Sequence, residues 1–390
     1  MKLKHGLHLA YCTNIHRGES WAQTLSALER YTLAVRDCVS RGQPYAIGLR
    51  LGADAARELA DRATLLSFQQ WLERENCYIF TINGFPYGRF HGTRVKEQVY
   101  APDWSTPERL AYTNLLFDLL AELVPPGESG SVSTVPVSYK EFIREPGQID
   151  TAIDQLWRCV DHIEALSTRT GRDLHLGLEP EPLCTLETSE ETIAFFEQLR
   201  RRRPADDRWQ RRLGVNYDCC HLAVEYESPA EALGRLRAQG IRLSKIHLSS
   251  ALRVMPTPEV RVALAAFVDE VYFHQVIARG PSGALTRHRD LDVALAWAGE
   301  HPPAEGEEWR IHFHIPLHSP PTALYGNTQD HITGVLDVLR EDPSLCSHFE
   351  METYTWEVMP SDMKHRDVVG QLVAEYDWTL GRLREAGLAG

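Results

Sequence analysis

Short apolar runs alternate with long amphipathic stretches along the whole chain, and this rhythm limits what the chain can fold into more than any other feature. Residues 3–11 (LKHGLHLAY), 45–51 (YAIGLRL), 78–83 (YIFTIN) and 131–139 (SVSTVPVSY) read as strands. So do 174–182 (LHLGLEPEP), 212–222 (RLGVNYDCCHL), 241–250 (IRLSKIHLSS) and 347–356 (SHFEMETYTW). Between the first five, residues 20–41, 54–76, 106–124 and 149–170 place apolar residues three and four apart, the helical period. Helix starts are marked by Ser105-Thr106-Pro107-Glu108 and by Thr188 or Ser189 followed by Glu191. Repeated strand-helix units imply a parallel sheet, and eight units close it, so the predicted fold is α/β, a (β/α)8 TIM barrel.

One barrel spanning 1–390 accounts for the length if residues 253–327 form an insertion between the seventh and eighth strands, near the barrel mouth. That segment is too long for one crossover helix. It reads as a helix from Pro258 to Asp269, a hairpin with VYFHQVIAR and ALTRHRDLDVALAWA as its arms, and an extra strand in WRIHFHIPLH (309–318). The spacing also permits WRIHFHIPLH to be a barrel strand. Residues 329–341 are then the last crossover helix and 365–386 the closing one.

The last four strands end in metal-binding side chains: Glu179 and Glu181, Asp218 and His221, His247, and Glu350 and Glu352. Side chains alternate across a strand, so parity tests whether they face one way. Leu174, Leu176 and Leu178 share one parity while Glu179 and Glu181 share the other; Val215 and Tyr217 oppose Asn216 and Asp218; Ile246 and Leu248 oppose Lys245 and His247; Phe349 and Met351 oppose Glu350 and Glu352. Glu179, Glu181, Asp218, His247, Glu350 and Glu352 all fall on the polar, inward parity. In a parallel barrel these positions meet at the carboxyl-terminal mouth, where a divalent cation can be held.

Charge and motifs narrow the function classes. Formal net charge is −13, which disfavours nucleic acid and anionic lipid surfaces as partners. The seven arginines between Arg200 and Arg212 precede the sixth strand and so belong on the face away from the mouth. No Gly-rich phosphate loop is present, so no nucleotide cofactor is expected. No apolar stretch approaches the roughly 20 residues of a membrane span. The start MKLKHGLHLAYC lacks a signal-peptide core, and the eight cysteines form no two-spacer pair, so the chain reads as cytoplasmic and reduced.

Glu at strand five, Asp-x-x-His at strand six, His at strand seven and Glu at strand eight together resemble the xylose-isomerase-like barrel superfamily, which includes sugar isomerases, ketose 3-epimerases, inosose dehydratases and endonuclease IV. The resemblance implies one divalent metal on Glu179, Asp218, His247 and Glu352, with His221 touching substrate. Glu181 stays open as a competing ligand, because relatives often carry a neutral group there, and His314 as a replacement. The segments CTNIH, LGLEPEPLCTLET, NYDCCHLAVEYE and ETYTW are also similar to the EboE family of metabolite-traffic barrel proteins, which implies a small polar metabolite, a sugar or cyclitol.

The expected function is therefore a metal-dependent sugar or cyclitol isomerase, epimerase or dehydratase. Three carboxylates and one imidazole suit Mn²⁺, Mg²⁺ or Co²⁺, with Zn²⁺ also compatible. Glu179 and Glu352 would take and return the proton, His221 would hold or protonate a substrate oxygen, and His8 and Asn83, read as ending strands one and three, would line the mouth with His16 and His91. Lys245 is read as a substrate contact or as half of an ion pair with Glu350 or Glu181. Trp21, Trp104 and Trp356 are candidate platforms for a sugar ring. Further metals, built from Arg287-His288-Arg289-Asp290 or from His274, His312, His314 and His318, would point instead to an endonuclease IV-like hydrolase of small phosphoesters. The remaining alternative is a carrier that keeps the pocket without turnover.

Overall fold

A computed structural model describes residues 1–92, 94–360, 364 and 366–390. Eight parallel strands form its central sheet: β1 (His8–Tyr11), β2 (Tyr45–Arg50), β3 (Cys77–Asn83), β4 (Gly130–Thr134), β5 (Leu174–Leu178), β6 (Leu213–Asp218), β7 (Arg242–Leu248) and, after an excursion, the last strand, His348–Met351. From β2 to β7 each pairs with its neighbour in sequence, and the last lies between β7 and β1. The seam between β1 and β2 is joined by a single parallel bridge, Cys12 to Gly48, so the barrel is nearly closed. Gly48 is required there: a Cβ would lie 2.0 Å from Glu350 Oε1 and 2.6 Å from the Tyr11 carbonyl.

The predicted parity holds. Leu174, Leu176, Leu178, Val215, Tyr217, Ile246, Leu248, Phe349 and Met351 all join the main apolar core, between sheet and helices. The helices start and stop as local chemistry dictates. Ser20 and Gln23 form a capping box at Trp21–Ala27, and Thr188 accepts from the Glu191 amide. Residues 54–76 form two helices, Ala53–Leu59 and Arg62–Arg74, because Asp61 caps a new start by accepting from the Ala63 and Thr64 amides. Thr106 precedes the helix Pro107–Leu123 without a side-chain cap; its hydroxyl donates to the Asp103 carbonyl instead. The arginine-rich turn lies at the foot of β6, tied to Asp154, Asp161, Glu164 and Asp206.

Residues after β7 build a second, antiparallel sheet from β8 (Leu252–Val254), β9 (Val276–Arg279), β10 (Leu285–His288), β11 (Glu308–Ile311) and β12 (Gly326–Asn327), in the order β10-β9-β11-β8-β12. The last barrel strand is accordingly β13. Leu252, Val254, Val276, Trp309, Ile311 and Phe313 give this sheet its own apolar core with Leu264 and Leu291. WRIHFHIPLH is not a barrel strand: only its first part is extended, and it pairs antiparallel with β8 and β9. The second hairpin arm is also corrected, since it is strand only to His288. Asp290 then accepts from the Leu291 amide and starts a helix, Leu291–Glu300. The helix from Pro258 ends at Leu264 and continues as a 3-10 turn, Ala265–Phe267.

The closing helix runs Val368–Glu385, and His365 at its expected start lies outside the described residues. It carries a buried carboxyl, Glu375, whose Oε1 accepts from Thr353 Oγ1 (2.7 Å) and the Leu317 amide (3.1 Å). Burial pushes its pKa up to about 7, against the hydrogen bonds that favour the anion. The folded chain thus binds this proton more tightly than the unfolded chain, so stability falls as pH rises from about 4.5 to about 7 and is level above. Glu375→Gln is expected to remove that slope, raising stability at pH 7.5 relative to pH 5 by up to about 3 kcal/mol against the wild type. Urea unfolding at the two pH values measures it.

Candidate metal centre at the barrel mouth

Four of the chain's predicted ligands come together where β5, β6, β7 and β13 end. Glu179 follows β5 and is held by its amide to the Thr134 carbonyl (3.1 Å); Glu352 follows β13, its amide on the Leu248 carbonyl (3.1 Å). Asp218 closes β6 and pairs in register with His247 of β7. Glu179, Asp218, His247 and Glu352 each offer a ligand atom within 4.8 Å of the others, and all four are buried. His247 Nδ1 lies 3.2 Å from Glu179 Oε1, 3.4 Å from Asp218 Oδ2 and 3.2 Å from Glu352 Oε2.

The other carboxylate oxygens are taken by neutral donors. Glu179 Oε2 accepts from Asn216 Nδ2 (2.6 Å), and Glu352 Oε1 from Asn14 Nδ2 (2.8 Å) and Asn83 Nδ2 (3.2 Å). Asp218 Oδ1 accepts from Ser249 Oγ (2.7 Å) and the His221 amide (2.9 Å). One oxygen of each is left facing the centre, and Asp218 Oδ2 has no hydrogen-bond partner among the described residues. On its far side His247 donates from Nε2 to Glu350 Oε2 (2.9 Å), which also accepts from Lys245 Nζ (2.6 Å). That bond fixes the ring with Nδ1 turned toward three anionic oxygens, the carboxylate-histidine arrangement that orients metal ligands. Such a donor set fits a divalent cation.

Electrostatics agree. Burial opposes charge on His247, yet Glu352 and Glu179 outweigh it and hold the imidazole well above its ordinary range. Burial likewise opposes ionisation of Asp218, but His221 and His247 hold it well below the usual carboxylate value. Glu350 is brought down to about 2, burial being overcome by Lys245 and His247.

Above the centre opens a small cavity. Asn83 and His221 line it, as expected, together with Asn14, Glu181 and His312. Its walls are Phe85, Phe90, Tyr100, Tyr272, Phe273 and Tyr354, aromatic residues that sequence reasoning missed. The three tryptophans are not among the lining: Trp104 is fully buried with Nε1 on Thr134 Oγ1 (3.2 Å), and Trp21 packs edge-on to Phe68. Glu181 accepts from Tyr100 (2.6 Å), and burial pushes its pKa up to about 7.

Two substrate-contact expectations are corrected. Lys245 is buried beneath the centre in its ion pair with Glu350, because its inward position is one layer below the mouth. His8 begins β1 rather than ending it, in register with His348 at the opposite end of the barrel. There it contacts Tyr78 (2.9 Å) and Glu128 (3.0 Å) and stacks on Phe80. His16 bonds to Tyr11 (2.9 Å), and His91 braces the mouth through Tyr272 (2.7 Å) and the Asn14 carbonyl (2.6 Å). The Arg287–Asp290 run forms no metal cluster among the described residues; Asp290 pairs with Lys96 (2.6 Å) and Arg287 with Glu187 and Glu225. The orienting roles of Asn14, Asn216 and Glu350 had one sequence signal: inward parity for the last two.

No family model and no curated protein matches the sequence. Solved structures do. A D-tagatose 3-epimerase-like protein aligns over 97% of this chain and 98% of its own at 11% identity, with a TM-score of 0.53. L-ribulose 3-epimerase aligns over 99% and 96%, at 11% identity and a TM-score of 0.51. A xylose isomerase-like TIM barrel protein from Mycobacterium smegmatis in complex with magnesium covers 90% and 87% at 15% identity, with a TM-score of 0.48. What the first two share with this chain is the fold, a (β/α)8 TIM barrel.

Divalent metal, measured by elemental analysis after dialysis, is expected to be lost in a Glu179→Gln/Asp218→Asn double variant and retained in Asp206→Asn, which alters only the arginine-rich turn. Glu350→Gln is expected to weaken metal affinity about tenfold to a hundredfold by freeing the His247 ring. It should also cost about 3 kcal/mol in unfolding experiments, since Lys245 stays buried without its anion.

Proposed function

We propose that this chain is a metal-dependent isomerase, epimerase or dehydratase that acts on a small sugar or cyclitol by moving a proton on the carbon beside a carbonyl. The observation that carries the proposal is the convergence of one oxygen from each of Glu179, Asp218 and Glu352 on His247 Nδ1. Three carboxylates and one imidazole suit Mn²⁺, Mg²⁺ or Co²⁺, and tolerate Zn²⁺. Bound there, such an ion would polarise a substrate carbonyl and acidify the adjacent C–H.

The chain's own residues divide the remaining work. Glu179 and Glu352 take and return the proton, their second oxygens pinned by Asn216 and by Asn14 with Asn83 so that the basic oxygen points inward. His221, its Nδ1 donating to the Pro180 carbonyl (3.0 Å), faces the cavity and holds a substrate oxygen. The aromatic walls exclude water and stack on the ring.

Charge in the cavity favours this reading over phosphoester hydrolysis. Lys96 is the one lining residue that is always cationic among the described residues, and Asp290 neutralises it at 2.6 Å. A phosphate would find no free positive side chain. The structural likeness to sugar 3-epimerases supports a sugar-like substrate, and the EboE-like segments support a place in metabolite biosynthesis or traffic. Eight free cysteines are in keeping with work in the cytoplasm, and no described helix is long and apolar enough to cross a membrane.

Incubated with Mn²⁺ in deuterated water, the protein is expected to exchange a carbon-bound hydrogen of at least one member of a panel of ketoses and ketocyclitols, followed by NMR. Glu179→Gln should slow that exchange by about a hundredfold or more. A panel with no exchange at all would leave the carrier reading in its place.

A further inference from the structure

The run Glu179-Pro180-Glu181-Pro182 leaves the metal centre on a restricted course, because each proline fixes its own φ and limits the residue before it. The backbone is pinned on both sides. The Pro180 carbonyl lies 3.0 Å from His221 Nδ1, the Pro182 carbonyl accepts from Gln275 Nε2 (3.3 Å), and the Glu181 amide donates to the Leu186 carbonyl (3.0 Å). Glu181 is thereby set in the cavity wall, only 6% exposed. Its Oε1 accepts from Tyr100 Oη (2.6 Å), which accepts in turn from Gln275 Nε2 (3.0 Å). Its Oε2 has no hydrogen-bond partner among the described residues.

Charge around the cavity does not balance. Three carboxylates and one lysine line it. Glu179 and Glu352 belong to the metal centre, and Asp290 neutralises Lys96 (2.6 Å). That leaves Glu181, with which no lysine or arginine pairs among the described residues; its nearest basic group is His312, Nδ1 3.6 Å from Oε1. His312 Nδ1 is engaged by Gln275 Oε1 (2.7 Å), and burial, with His221 and His314 close by, holds that imidazole well below its ordinary pKa and so neutral. His221 lies nearest Asp218 instead, Nε2 to Oδ1 at 3.8 Å. A divalent ion on Glu179, Asp218 and Glu352 would still leave one negative charge over, and Glu181 adds another.

The surrounding rings suit a ligand that supplies the opposite charge. Phe90, Tyr272 and Tyr354 pack together with centroids 5.2 to 5.5 Å apart, and Phe85 meets Tyr100 edge-on at 6.0 Å. This wall already draws protein cations to its outer faces: Arg50 lies over Phe90 (5.9 Å) and Lys96 over Phe273 (5.8 Å). Phe85, Tyr100, Tyr272 and Tyr354 have no cation over them among the described residues. Aromatic faces gathered beside one carboxylate are the chemistry that recognises organic ammonium groups. We infer that the cavity takes a substrate bearing a protonated amine, an amino sugar or aminocyclitol, with its ammonium on Glu181 Oε2 and against the uncovered rings. This rests on the reaction proposed above and adds the charge of its substrate. A neutral polyol would give Glu181 a hydroxyl but leave its charge buried without a counterion.

Calorimetric titration of the full-length protein in excess Mn²⁺ near neutral pH tests this. The ligands are D-glucosamine, D-galactosamine and scyllo-inosamine, each beside its hydroxyl parent and its N-acetyl derivative. At least one amine is expected to bind about tenfold or more tightly than its parent, and acetylation, which removes the charge, to abolish the advantage. Glu181→Gln keeps the size of the side chain and an oxygen for Tyr100, so it is expected to hold the wild-type Tm while bringing amine and parent to about equal affinity. No amine preference in the wild type, or a preference that survives Glu181→Gln, overturns the inference. Deuterium exchange into neutral ketoses without any amine preference removes this subsite and leaves the proposed reaction standing. An amine preference lost in Glu181→Gln, with no exchange into any ligand, does the reverse.

Discussion

Negative charge buried at the barrel mouth is the constraint on which the rest of the structure depends. Glu179, Asp218, Glu350 and Glu352 are all buried within one cluster. Two like charges about 4 Å apart repel by about 4 kcal/mol at an effective dielectric of 20, so several uncompensated pairs would rival the roughly 5–15 kcal/mol that stabilises a whole domain. Lys245 and His247 offset part of this, and the amides of Asn14, Asn83 and Asn216 with the Ser249 hydroxyl offset more. What remains is a site that draws in positive charge.

The barrel is built to tolerate that cluster at one end only. Below Lys245 the interior is filled by neutral groups: His348 bonds to Ser131 and Ser129, His175 to Ser244, and His8 stacks on Phe80. Burial keeps His175 and His348 well below their usual pKa, so they pack as uncharged polar residues. The bare backbone at Gly48 makes room for Glu350 at the seam, which lets that carboxylate reach both Lys245 and His247. Closure of the barrel and orientation of the imidazole therefore depend on the same few residues.

The insertion turns this mouth into a chamber. Its sheet has a core of its own, and it meets the barrel through apolar contacts, Ile277 with Cys220 and Val224, and through polar ones: Arg310 to the Ala223 carbonyl, Gln275 to Pro182, His314 to Glu352, and the Ile315 amide to the Ser250 carbonyl. Tyr272 and Phe273 complete the aromatic wall begun by Phe85, Phe90 and Tyr100. The segment thus sets both the shape of the cavity and the chemistry of its rim.

The sequence by itself determined the eight-unit rhythm, the position of the insertion and the inward parity of Glu179, Asp218, His247 and Glu352, because strand alternation and helical period are local properties of the chain. It could not separate Lys245 and His8 from true mouth residues, since parity says which way a side chain faces but not which layer it occupies; register between strands decides that. Nor could it show that Asn14, Glu350 and the aromatic walls attend the centre, or that His312 rather than His288 turns toward it. Those outcomes belong to tertiary structure alone. They arise where segments hundreds of residues apart are packed within hydrogen-bonding distance, and no local pattern records which of them will meet.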